Sequence, residues 1–332
     1  MKLSLIKCHG SSNDFIIFDE ENSSLKLVDK DRAQIAETLC NRTSSIGADG
    51  VLYISESTNA QAKMRVFNSD GSEASMCGNG LRCAARYIAE RDGLNKFSVE
   101  TLKATLQVEK VESLYEDIPT YAVEISPILF NLDALPLEMD SETLINQPVP
   151  EWHHSLRFSA LAVPNPHLIT HVDAEVLSGS LQKEMAEKFN SQNEWFKDGV
   201  NVSFVVPFSE NEIFVRTFER GVGFTNACGT AMSSSSLVEV ILERSEAGIP
   251  IDVYNDGGRV KCVINKNEGR YDHIDLIGNA TFTDYYEANI DEGSNQIVNT
   301  AHLSGTDEEL IYQRMAQAAK EYLSSKLAAV NN

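Results

Sequence analysis

Positive charge is scarce in this chain: 28 lysines and arginines stand against 49 aspartates and glutamates, a formal net charge of −21 over 332 residues. That surplus repels phosphate backbones and anionic lipid headgroups, so neither nucleic acid nor a membrane is expected as a partner. Long apolar runs are lacking as well. The first apolar stretch, residues 3–6, is too short for a signal h-region, and no run approaches the roughly 18 residues of a membrane span, so the reading expects a cytoplasmic protein. The six cysteines (Cys8, Cys40, Cys77, Cys83, Cys228 and Cys262) include no C-x-x-C pair. Their wide scatter argues against a disulfide framework, and the missing pair removes zinc-ribbon and thioredoxin-like chemistry. Also absent are G-x-G-x-x-G, a P-loop, H-E-x-x-H and any lysine whose context marks it for pyridoxal phosphate, so no cofactor and no metal is expected.

What is present suffices for about two domains, since 42% of the residues are hydrophobic. Residues 2–7, 15–18, 51–54, 63–67 and 97–101 read as strands, being short, apolar or alternating, and rich in β-branched and aromatic side chains. Helices are expected over 31–40, opened by Asp31 as a cap, and over 80–90, 180–189, 230–243 and 308–327. Strands outnumber helices, which favours an α+β fold over a doubly wound sheet. Prolines 127, 136, 148 and 150 loosen the pattern and place the domain junction at or just before residue 127.

An internal repeat organises the rest. Residues 64–68 (Met-Arg-Val-Phe-Asn), followed nine residues later by Cys77-Gly78, match residues 215–219 (Val-Arg-Thr-Phe-Glu), followed at the same distance by Cys228-Gly229, with a constant offset of 151. Each copy runs strand, glycine-bearing turn, Cys-Gly, helix, and with one inserted residue Asn13 also aligns with Asn165. Two copies of one unit imply two pseudo-symmetric domains.

A cysteine just ahead of a helix lies beside free backbone N–H groups and the positive end of the helix dipole, which predicts a lowered thiol pKa. The small residues after each one (Gly78, Asn79; Gly229, Thr230) let a ligand carboxylate approach the same amides. A lone cysteine is more simply a small buried hydrophobe; two at equivalent positions are not. With the repeats facing each other, one thiolate removes an α-proton while the opposite thiol returns a proton to the other face, inverting the centre.

These residues carry a resemblance. His9-Gly10 with Asn13-Asp14-Phe15, residues 47–50 (Gly-Ala-Asp-Gly), the stretch from Phe67-Asn68 to residues 76–80 (Met-Cys-Gly-Asn-Gly), Asn165-Pro166-His167, Asn201, and the stretch from Glu219-Arg220-Gly221 to residues 227–230 (Ala-Cys-Gly-Thr) resemble, in order, the blocks of the diaminopimelate epimerase family. The resemblance covers about residues 1–290. It implies two pseudo-twofold domains, each a curved, mostly antiparallel sheet around a central helix, with the site in the inter-domain cleft. The expected boundaries are 1–126 with a returning segment near 279–290, 127–278, and a helical extension over 291–332. It further implies a cofactor-independent homodimer that interconverts LL- and meso-diaminopimelate in lysine and peptidoglycan precursor synthesis, with Cys77 and Cys228 as the acid/base pair. Gly78, Asn79, Gly229 and Thr230 would hold the α-carboxylate. Asn13, Asn68, Asn165, Asn201, Glu219 and Arg220 would hold the other polar groups, and His167 and Glu219 would tune the thiols. A structural role for His167, turn-forming roles for Asn13 and Asn165, and plain turns at Asp49-Gly50 and Asp70-Gly71 stay open.

Three departures keep other readings alive. Phe224 stands where many family members carry Glu, although its repeat partner Glu73 keeps the acid. The aromatic dimer-contact position is not cleanly matched, falling on Asp284 or Tyr285, and about 40 residues follow Ile290. A cofactor-free racemase of another amino acid, such as histidine, is the alternative within enzymes. A non-catalytic binding protein or redox switch joining Cys77 to Cys228 is the alternative outside them.

Overall fold

The computed structural model describes residues 2–330 apart from 24, 44 and 292; positions 292, 331 and 332 of the expected extension lie outside the described residues. Contacts divide the chain into two compact units, Met1–Val123 with Ile277–Arg314, and Glu124–Leu276 with Met315–Asn332. Among the described residues there are five α-helices: α1 (Asp29–Cys40), α2 (Gly78–Asp92), α3 (Leu181–Asn190), α4 (Gly229–Ile241) and α5 (Glu308–Val330). None is long and apolar enough to cross a membrane.

In the first unit strand Lys2–Gly10 forms a hairpin with Asn13–Asp19, and on its other side pairs antiparallel with Thr281–Asp291, which in turn pairs with Gln296–Gly305. Asn13–Asp19 runs parallel to Gly50–Ser55; Ala62–Asn68 (antiparallel), Lys96–Glu100 (parallel) and Thr105–Val111 (antiparallel) follow. The second unit reproduces that order. Pro166–His171 is parallel to Asn201–Ser209, which is antiparallel to Glu212–Glu219; Ile251–Asn255 (parallel) and Gly258–Asn267 (antiparallel) follow. Both sheets are therefore mixed and mostly antiparallel, as the repeat in the sequence requires.

The run Phe15-Ile16-Ile17-Phe18 shows no alternation because its strand is buried on both faces. Ile16 and Phe18 cluster with Ile35, Ala36 and Leu39 of α1, whereas Phe15 faces α2, its ring 3.5 Å from the place a Cβ on Gly80 would occupy. Helix α2 is the centre of its unit, with every residue from Gly78 to Arg86 buried. Gly10 ends its strand against that helix, and a Cβ there would meet the Asn79 carbonyl oxygen at 2.8 Å. Helix α4 takes the same place in the second unit, buried from Ala231 to Val240. Three of its four buried serines are satisfied within the helix: Ser233, Ser234 and Ser236 donate back to the carbonyls of Gly229, Thr230 and Met232.

Two local expectations change. Asp31 is not the cap of α1; the helix begins at Asp29 behind Val28, and Asp31 reaches back from inside the first turn to accept the Val28 N–H at 3.0 Å. Strand Gln296–Gly305 goes unforeseen because it is exposed over most of its length and carries no apolar alternation. Beyond it, Ala319 and Leu323 of α5 join the core of the second unit with Phe158, Phe204 and Phe214.

Candidate active site

Each repeat places its cysteine at the N-cap of the central helix: Cys77 ahead of α2 and Cys228 ahead of α4, both with extended backbone. In the first unit the Cys77 sulfur accepts the Gly80 N–H at 3.4 Å, and its thiol donates to Asn13 Oδ1 at 3.7 Å. Asn79 Nδ2 donates to that same oxygen at 3.3 Å. The Asn13 amide cannot turn over, because its NH2 group donates to Asp49 Oδ2 at 2.7 Å and a carboxylate only accepts. Arg42 holds Asp49 and Asp14 together at 2.8 and 2.7 Å. Asp49, which the sequence leaves as a possible turn residue, is thus the group that aims Asn13 at the thiol. Asp70 is a turn residue, accepting Ser72 N–H at 2.9 Å. Asn68 is tied into the same turn through Ser72 Oγ at 2.9 Å and does not join the Asn13–Cys77–Asn79 cluster.

In the second unit the Cys228 thiol lies 3.5 Å from Thr230 Oγ1, and the Glu219 carboxylate, whose charge acts on that thiol, accepts the Thr225 hydroxyl. Asn201 Oδ1 accepts the Arg220 N–H at 2.9 Å, fixing the backbone of an exposed arginine whose Nη1 donates to the Asp198 carbonyl at 2.8 Å. His167, opposite Asn201 on the parallel neighbour strand, bonds Asn165 Oδ1 at 3.1 Å through Nε2. Burial, with the Arg220 charge adding to it, lowers the His167 pKa to about 3, so the ring is neutral and offers no positive charge to stabilise a thiolate. Its buried Nδ1, like the buried Asn79 Oδ1 of the first unit, has no hydrogen-bond partner among the described residues. Leaving such an atom unmatched costs about 1–3 kcal/mol, which favours a polar ligand at each.

The expectation of lowered thiol pKa values is overturned. Burial pushes Cys77 up to about 11, with the Gly80 and Asn79 amides opposing it only in part. Cys228 is raised further, by burial first and then by the Glu219 carboxylate. The helix-start amides act in the direction predicted, but exclusion of water from the sulfur is the larger effect. In the ligand-free protein, iodoacetamide should therefore label Cys77 along a titration centred near pH 11, with Cys228 labelled still more slowly. Glu219→Gln removes a negative charge beside Cys228 and should speed its labelling at fixed pH while leaving Cys77 unchanged. Peptide-resolved mass spectrometry reads both rates, and a Cys77 midpoint below pH 8 would contradict the burial argument.

Phe224 also finds its physical reason. In the first unit Glu73 takes Arg65 in two hydrogen bonds of 2.7 Å each. Their repeat partners are Phe224 and Arg216, and there the guanidinium carbon sits 5.2 Å from the centre of the Phe224 ring, which packs edge-on against Phe218. An ion pair has been replaced by a cation–π contact on a half-exposed ring, and the aromatic, on the short strand Gly223–Thr225, supports Arg216 of strand Glu212–Glu219. Among the described residues, no group of three or more His, Cys, Asp or Glu side chains is placed to hold a metal ion.

A sequence model of the family described as diaminopimelate epimerase matches residues 5–116 and 159–283. The chain is similar to the diaminopimelate epimerase of Listeria innocua serovar 6a, 50% identical over 324 residues that cover 96% of this chain and 97% of that one. It is also similar to the diaminopimelate epimerase of Enterococcus faecalis, 43% identical over 326 residues covering 97% and 100%. Among solved structures, a phenazine biosynthesis protein of the PhzF family from Bacillus anthracis matches with a TM-score of 0.63 at 17% identity, over 87% of this chain and 100% of that one, a likeness of fold.

Proposed function

The chain belongs to the diaminopimelate epimerase family, and from that premise we propose that it interconverts LL- and meso-diaminopimelate with Cys77 and Cys228 as the two acid/base groups. The observation that carries the reading is the equivalent placement of the two cysteines, each at the N-cap of the buried central helix of its repeat. One thiolate takes the α-proton and the other thiol delivers a proton to the opposite face, so the pair ends with its protonation states exchanged and the reverse reaction uses the same groups. The α-proton of an amino acid is weakly acidic. The N–H groups of Gly78, Asn79, Gly229 and Thr230 meet the α-carboxylate and stabilise the charge that develops on it, in a site from which water is excluded. No cofactor takes part in these steps. Asn13, Asn68, Asn165, Asn201, Glu219 and Arg220 recognise the remaining polar groups, with Glu219 and Arg220 supplying the opposite charges that a distal amino-acid centre needs. Glu219 also keeps Cys228 protonated until the reaction calls on it. His167, neutral and bonded to Asn165, orients that amide. The enzyme works as a cytoplasmic homodimer.

The test is solvent deuterium exchange at Cα. The purified protein should exchange and epimerise LL-diaminopimelate, with lysine and histidine turned over poorly. Faster exchange into histidine than into diaminopimelate would replace the substrate assignment with that of a histidine racemase.

A further inference from the structure

The residues beyond 283 lie outside the family match, yet the Listeria and Enterococcus relatives align over nearly the whole chain. We infer that the first turns of α5 are a positioning element for Cys77, with Glu309 and Tyr312 locking the turn that presents Asn13 to the thiol. The inference rests on the reading of Cys77 as one of the two acid/base groups.

The turn in question is Ser11-Ser12, with φ of +54° and +65°. A two-residue hairpin turn needs that left-handed backbone, but asparagine and glycine adopt it readily and serine does not, so this turn is held from outside. Ser11 N–H donates to Asn279 Oδ1 at 2.9 Å, and Arg82 Nη2 donates to Ser11 Oγ at 3.0 Å. Ser12 depends on α5. Its hydroxyl bonds the Tyr312 hydroxyl at 2.9 Å, and its N–H donates to His9 Nδ1 at 3.3 Å. That second bond requires a bare Nδ1, so the His9 proton sits on Nε2, where Glu309 accepts it at 2.8 Å. The Tyr312 ring closes edge-on over His9, with centroids 4.4 Å apart. Glu309 thus selects the tautomer that holds Ser12, Tyr312 holds the same residue through its hydroxyl, and the next residue is Asn13, whose Oδ1 takes the Cys77 thiol.

The other end of that contact is fastened to the same helix. Glu308 grips Arg86 of α2 in two bonds of 2.5 and 2.7 Å and accepts the Phe282 N–H at 2.9 Å. Both the helix that begins at Cys77 and the turn that leads into Asn13 are therefore anchored by consecutive residues of α5. A packing appendage would account for burial there; it would not account for hydrogen bonds directed at the turn beside the reactive thiol.

Tyr312→Phe keeps the ring on His9 and removes the hydroxyl that bonds Ser12. Glu309→Ala frees the His9 tautomer, and Glu309→Gln retains an acceptor. In the full-length protein, Tyr312→Phe and Glu309→Ala should each lower kcat for LL-diaminopimelate about fivefold, the effect of one positioning hydrogen bond, with KM changed by less than about twofold. Glu309→Gln should restore most of the rate. Peptide-resolved iodoacetamide labelling at fixed pH should change at Cys77 and stay constant at Cys228. Arg314→Ala, on the same helix, breaks an exposed ion pair with Glu116 and should move none of these. Unchanged kcat and Cys77 labelling in Tyr312→Phe and Glu309→Ala, with at most a lowered Tm, would overturn the inference. If the wild type does not convert LL-diaminopimelate at all, the functional reading fails instead, and the Cys77-selective labelling still decides whether α5 positions the thiol.

Discussion

Replacing either Cys77 or Cys228 with alanine is expected to lower the conversion of LL- to meso-diaminopimelate by at least about a thousandfold, within the range that general acid–base groups contribute. A site with one thiol can remove a proton but cannot return one to the opposite face. The fold should survive both changes. The Cys77 sulfur caps α2 through one bond to the Gly80 N–H, worth about 1 kcal/mol, and among the described residues Cys228 makes no comparable side-chain cap bond. Circular dichroism of the two variants should therefore match the wild type. Near-normal turnover by either variant with a native spectrum would end the two-thiol mechanism. Residual α-proton exchange without epimerisation in one variant would be in keeping with it, since the remaining thiol can still exchange the face it serves.

The second large effect is expected at Arg220. Its guanidinium is exposed and, among the described residues, bonds the Asp198 carbonyl, while Asn201 fixes its backbone N–H. The acceptor that its loss leaves, the Asp198 carbonyl, is at the surface. Arg220→Met should then leave Tm nearly unchanged, and its cost should fall on the distal carboxylate of the substrate. Losing a charge-assisted contact of this kind costs about 2–5 kcal/mol, so turnover of diaminopimelate should drop at least about tenfold. Exchange into lysine, which lacks the distal carboxylate, should be slow and equal in both proteins. Full activity of Arg220→Met on diaminopimelate would move distal recognition away from Arg220, and a large fall in Tm would make the arginine a structural residue.

The sequence by itself determined the repeat, the fold class, the family and the two helix-start cysteines. These are carried by local order: an ungapped offset of 151 residues, apolar segments of strand length, and small residues directly after each cysteine. Local order also determined that α2 and α4 would be equivalent, because the same strand, turn and Cys-Gly precede both. What depends on distant parts of the chain was decided by the tertiary structure. Asp49 reads as half of an Asp-Gly turn until the parallel pairing of Phe15 with Gly50 brings it to Asn13. Phe224 reads as a departure from the family's Glu until Arg216 is found against its ring. Glu309 and Tyr312 read as one turn of an amphipathic helix, and their partners His9 and Ser12 lie 300 residues away in the sequence. The sign of the thiol shift belongs to the same class. Helix-start amides are visible in the sequence as a Cys-Gly step, whereas the exclusion of water that raises Cys77 and Cys228 is a sum over every group packed around each sulfur, and only the folded chain brings those groups together.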